Sequence, residues 1–126
     1  MSKSQRDKGK RIERIVAREL APLWPGIYRS ANQAGGALQP DLDGAPAWVE
    51  VSGGKAPRLW KKLRQARDDR EASLDGLPIM VALRRDRDET VVCLPVSDFV
   101  ALVQEERAEA VRVALEAVSD KSEDDI

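Results

Sequence analysis

The spacing of apolar residues changes character several times along the chain. From about Ser4 to Ala21, Ile12, Ile15, Val16 and Leu20 recur at helical intervals, with Arg11, Arg14 and Arg18 on another side. Pro22, Pro25 and Gly26 end that helix. "GIYRSA" reads as a short strand, and "NQAGGA" as a loop with two adjacent glycines. "LQPDLDG" is a short extended segment that closes on a DG turn signal. "AWVEVS" then alternates as a half-buried strand does, with Val49 and Val51 on one face and Trp48, Glu50 and Ser52 on the other.

"GGKAP" breaks the strand and leads into a helix from about Pro57 to Ser73. Its apolar side is Leu59, Leu63 and Ala66; Arg58, Lys61, Lys62, Arg64, Arg67 and Arg70 make the rest strongly basic. "LPIMVALRR" and "ETVVCLPV" are further strands, joined by a charged turn at "RDRD". Ser97 as N-cap, followed by Asp98, opens a last helix to about Val118. Its stripe is Phe99, Leu102, Val103, Ala110, Val113, Ala114 and Ala117. The acidic "SDKSEDDI" reads as a disordered tail. The order α-β-β-β-α-β-β-α predicts an α/β fold: one domain over residues 1–118, a mixed central sheet flanked by helices, and a tail over 119–126.

Composition narrows the chemistry. With no histidine and one cysteine, Cys93, an intrachain disulfide is excluded and any metal must be held mainly by oxygen. That favours Mg²⁺, with Mn²⁺ able to substitute, over Zn²⁺. No apolar run reaches the ~18 residues of a membrane span, and the basic N-terminus lacks the apolar stretch of a secretory signal. A cytoplasmic protein is expected, without a membrane partner. The net charge of −1 conceals a split: residues 1–70 hold 15 Lys/Arg against 8 Asp/Glu, and residues 71–126 hold 6 against 14. The basic half suits a polyanion, although helix surfaces are also basic for solubility alone.

Asp41 and Glu50 stand on neighbouring extended segments joined by a short turn. If those segments pair, the two carboxylates meet, repel one another and favour a cation between them. Glu13 on the first helix is a third candidate for the oxygen shell. As alternatives, Asp41 and Asp43 suit a turn and Glu13 a solvated helix face. Glu50 in mid-strand is less ordinary, since acids are depleted there.

"GKRIERIVAREL", "YRSA", "QPD" and "VEVSGGK", in this order, resemble the archaeal-type Holliday junction resolvases and their phage-encoded relatives, within the PD-(D/E)xK nuclease superfamily. The likeness spans roughly Lys8 to Val103. It rests on Gly9 four residues before Glu13, the Arg29–Ser30 pair, Pro40–Asp41 and Glu50. It implies a restriction-endonuclease-like fold and a homodimer that uses Mg²⁺ to cut four-way DNA junctions by symmetrical incisions, in a prokaryotic or phage-infected cell. By resemblance, Glu13, Asp41 and Glu50 take the metal positions, with the Val51 carbonyl as a further ligand. Ser30 falls near the scissile phosphate and Gln65 beside the site.

The departure is Ser52, where the family carries lysine. Lys55, after two glycines, is the nearest substitute; Lys61 or Lys62 on the next helix is a second route. Lys8, Lys10, Arg11, Arg14, Arg18 and Arg29, with Arg58, Lys61, Lys62 and Arg64, are the expected DNA contacts. Two other readings stand beside the resolvase: a nuclease of this fold for other duplex or branched DNA, and a catalytically silent DNA-binding module, for which Ser52 argues.

Overall fold

The computed structural model describes residues 2–30 and 38–124, with side chains to 120. The expected "NQAGGA" loop lies outside these residues, as does the end of the acidic tail. The chain runs α1 (Lys3–Leu20), β1 (Tyr28–Arg29), β2 (Leu42–Asp43), β3 (Trp48–Gly54), α2 (Leu59–Ser73), β4 (Ile79–Arg85), β5 (Thr90–Cys93) and α3 (Val96–Asp124). The strands form one mixed sheet in the order β1-β2-β3-β4-β5. Neighbours are antiparallel except β3 and β4, which are parallel and joined by α2. Such a pair needs a crossover, and the helical spacing between the two strands supplies it.

β3 is buried on both faces, not one. Val49 and Val51 pack with Leu42, Met80 and Ala82 against Ile12, Val16 and Ala17 of α1. Trp48 packs with Ile79 and Val81 against Leu63 and Ala66 of α2. The alternation read from sequence is therefore right about the faces, but the second face is roofed by α2 instead of water. The turn from β2 to β3 depends on Gly44, whose φ of +86° suits glycine. A Cβ there would also fall 2.2 Å from the Gly26 carbonyl oxygen.

The helix ends differ from expectation in instructive ways. α1 begins with a capping box, the Ser2 hydroxyl accepting from Gln5 N and the Gln5 side chain from Ser2 N. α2 begins at Leu59, two residues after Pro57, with Arg58 as its N-cap. α3 begins at Val96, so Ser97 lies inside it. The Pro95 carbonyl accepts the first helical bond, from Phe99 N at 2.9 Å. α3 also runs to Asp124, beyond the expected Val118. At ~1.5 Å per residue its 29 residues make a rod of roughly 44 Å, which outruns the sheet. Of the expected stripe only Leu102 is buried; Phe99, Val103 and Val113 are exposed. Among the described residues no helix is long and apolar enough to cross a membrane.

Candidate active site

The site forms where β2 ends beside the middle of β3. Leu42 pairs with Val49, and one step on the ladder loosens. Asp41 N still donates to the Val49 carbonyl at 2.9 Å, but the next donor on β3, Val51 N, is taken by the Asp41 side chain, Oδ2 at 2.8 Å. The carboxylate thus extends the ladder just before β2 begins, which pins its orientation. On its other side the Asp41 carbonyl accepts from Ser30 N at 3.0 Å. Ser30, Asp41 and Glu50 are therefore successive neighbours across three strands.

Glu50 is only 2% exposed. Its Oε1 accepts from the Trp48 indole Nε1 at 2.9 Å, two residues back on the same face. Burial pushes the Glu50 carboxyl up to about 8; the Asp41 charge and a hydrogen bond to Asp41 push the same way, opposed by the Trp48 bond and the charge of Lys62. At neutral pH the pair accordingly holds a proton between its oxygens. Ser30 is fully buried, and its Oγ has no hydrogen-bond partner among the described residues. A row of oxygen atoms containing two repelling carboxylates and an unmatched hydroxyl suits a hard divalent cation.

Glu13 sits on the α1 side, where its Oε2 accepts from Arg29 Nε at 2.8 Å. Among the described residues no three His, Cys, Asp or Glu side chains gather closely enough to hold a metal. Glu13 is linked to the pair through Val51, which holds Asp41 by its N–H and also lines a groove of about 880 Å³ with Glu13. Gly9 and Lys8 of α1 and Arg58 and Lys61 of α2 line the same groove. Gly53 forms part of its floor, and a Cβ there would come within 2.4 Å of Ile12 Cδ1. Glycine at this position lets α1 lie close on β3.

Of the lysine candidates, Lys55 is exposed beyond the end of β3, and its charge helps Lys8 to hold Asp86 below the usual carboxylate range. Four strand steps from Glu50 to Gly54 amount to ~13 Å, so Lys55 belongs to the far end of the sheet. Lys61 faces the groove. Lys62 is half-buried, while Gln65 is exposed on α2. Lys10, Arg11, Arg14 and Arg18 are exposed along α1, and Arg64 on α2. Lys8 is bound to Asp86 at 2.8 Å and Arg29 to Glu13.

Two features escaped the reading of sequence. Trp48 was legible as core, but its indole N–H belongs to the site; the i, i+2 spacing from Glu50 on one strand face was the available signal. The other is that Arg84 and Arg85 at the end of β4, with Arg87 in the turn after it, join Lys8 and Arg11 around a second, smaller cleft.

No family model matches the chain, and neither a curated protein nor a solved structure matches it significantly.

Proposed function

We propose that this protein is a metal-dependent endonuclease of the PD-(D/E)xK kind, acting on four-way DNA junctions as a homodimer. The observation that carries the reading is the contact of half-buried Asp41 with buried Glu50, raised to about 8, beside Val51, which lines a groove with Lys8, Arg58 and Lys61. A structural ion pair would place opposite charges together; here two acidic side chains are held in contact, and one of them keeps its proton as the cost of that contact, as in sites that take up a cation.

Mg²⁺ is the cation that fits, since the available donors are oxygens: the carboxylates of Asp41 and Glu50, the Val51 carbonyl and the Ser30 hydroxyl. When bound it would acidify a water and stabilise charge on a phosphoryl oxygen. The chain's own residues do the rest. The Val51 N–H fixes Asp41, and the Trp48 indole fixes Glu50, so both carboxylates are oriented before substrate arrives. Lys8, Arg58 and Lys61 draw the phosphate backbone into the groove, a contact that reads charge and shape but no base. The homodimer reading is supported by α3, whose Phe99, Val103, Val111 and Leu115 are exposed.

The test is cleavage of an immobile four-way junction beside linear duplex of matched sequence, with Mg²⁺ and with EDTA. Paired, metal-dependent nicks on the junction alone are expected. Cutting of both substrates would move the reading to a less selective nuclease. Binding of either DNA without cutting would favour a silent DNA-binding module. One observation speaks for that second reading: Glu50 is nearly closed to solvent and tied to Trp48, and Ser52 stands where a lysine would complete the site.

A further inference from the structure

The three tryptophans have different surroundings. Trp24 and Trp48 are buried, at 8% and 1% exposure, and each indole N–H donates to a carboxylate, Glu106 for Trp24 and Glu50 for Trp48. Trp60, on the first turn of α2, is 77% exposed. A ring of that size is usually covered, so one held in water offers a contact surface.

Its neighbours are cations. Residues 55–67 carry Lys55, Arg58, Lys61, Lys62, Arg64 and Arg67, and no acid. Leu59, Leu63 and Ala66 turn the apolar side of α2 to the sheet, and Trp60 lies outside that side. Arg64 and Arg67, four and seven residues on, share its helix face, and both are exposed. On the other flank of Trp60, Arg58 and Lys61 line the groove. The ring therefore stands at the rim of the groove with positive charge on both sides. The core of a protein–protein contact is depleted of charge. A flat apolar face among cations suits nucleic acid instead, the cations meeting phosphates and the ring a base.

We infer that Trp60 stacks on an unpaired base of the nucleic acid whose phosphates lie in the groove, so that the protein favours DNA with open bases over continuous duplex. The inference rests on the nucleic-acid binding proposed above and adds a contact that reads neither charge nor sequence. In a continuous duplex both faces of each base are covered by its neighbours, and Trp60 has nothing to cover. A base freed from its stack presents one face to the ring. Every base has such a face, so the contact selects an open structure without selecting a base.

The experiment measures binding in EDTA, so that no cutting intervenes, to a single-stranded oligonucleotide, to its matched duplex and to the same duplex with a central unpaired bulge. Wild type, Trp60→Phe, Trp60→Ala and Lys61→Gln are compared. Tryptophan fluorescence of wild type is expected to fall on adding single strand, and that of Trp60→Phe to stay nearly constant, since Trp24 and Trp48 are buried. Trp60→Ala is expected to bind the single strand and the bulged duplex roughly ten-fold more weakly, the scale of losing one base–aromatic stack, and the plain duplex within about two-fold of wild type. Its slope of log affinity against log salt should be unchanged, because a stack releases no counterions, whereas Lys61→Gln should weaken all three DNAs alike and lower the slope by about one. If Trp60→Ala melts early, Trp60→Leu, which keeps apolar bulk without a flat ring, carries the same comparison. Wild-type affinity of folded Trp60→Ala for every DNA, or an equal loss on all three, overturns the stacking role and leaves the nuclease reading to its own cleavage test. So does a wild-type dimer that Trp60→Ala splits, which would make the ring a contact between copies. A wild type that binds none of the DNAs at low salt overturns the nucleic-acid reading, and the role of Trp60 with it.

Discussion

At the scale of single residues, the protein turns on a carboxyl kept from ionising. Glu50 holds its proton up to about 8 in the fold, against 4.5 for an ordinary glutamate. The folded state therefore binds a proton that the unfolded chain releases between those values. Stability from this group is complete below pH ~4.5 and is lost as pH rises towards 8, an effect on the order of a few kcal/mol. Metal-free protein should accordingly melt at falling temperatures from pH 5 to pH 8, and Glu50→Gln should flatten that slope and, under the proposed nuclease reading, abolish Mg²⁺-dependent cleavage. Thermal melts across the pH series, with one cleavage assay, check both halves. Adding Mg²⁺ at pH 8 should raise the melting temperature of wild type and leave Glu50→Gln nearly unchanged. Asp41→Ala would strand the Val51 N–H and cost about 1–3 kcal/mol. Asp41→Asn keeps an acceptor and should fold while losing activity, which separates the structural duty of this side chain from its chemical one.

At the scale of elements, the helix and strand boundaries follow from local chemistry, and one of them stores strain. α2 ends on Leu74 in the left-handed region at φ 63°, 89% exposed, its N–H donating to the Arg70 carbonyl. A side chain in that conformation costs about 1–2 kcal/mol, and this one packs on little. Leu74→Gly is expected to raise stability by about 1 kcal/mol in chemical denaturation without touching cleavage. Gly44 predicts the reverse. Its φ and the Gly26 carbonyl 2.2 Å from a would-be Cβ make Gly44→Ala costly, and because that turn sets how β2 meets β3, the cleavage rate of any folded fraction should fall too. Both turns were legible as breaks in the sequence, the second from its DG pair. The strain at Leu74 was not, because a leucine gives no sign of the backbone region it will be held in.

At the scale of the whole molecule, the acid pair sits between two helices that converge on the groove. Arg58 and Lys61 come from one and Lys8 from the other, so under the proposed nuclease reading DNA binding should weaken steeply as salt rises. Arg58→Gln with Lys61→Gln should reduce the slope of log affinity against log salt by roughly two, measured by fluorescence anisotropy. The long α3 leaves Val111 and Leu115 exposed. Under the homodimer reading, sedimentation should show a dimer that Val111→Asp with Leu115→Asp dissociates. Trp60, 77% exposed on α2, is a second apolar residue still open to a partner.

Sequence alone determined the element order, the two faces of β3 and the candidate acids, because each depends on near neighbours: a period of two or of 3.6, a glycine turn, an acid in an apolar strand. That any metal would be held mainly by oxygen was equally a matter of composition. Tertiary structure decided what depends on distant segments meeting. It placed Asp41 against Glu50 and capped Val51 with a side chain. It set Glu13 on the α1 side with Arg29 and sent Lys55 towards Asp86. No local pattern encodes which strand residues a crossover helix will cover, because that follows from the packing of Leu59, Leu63 and Ala66 on residues of other elements.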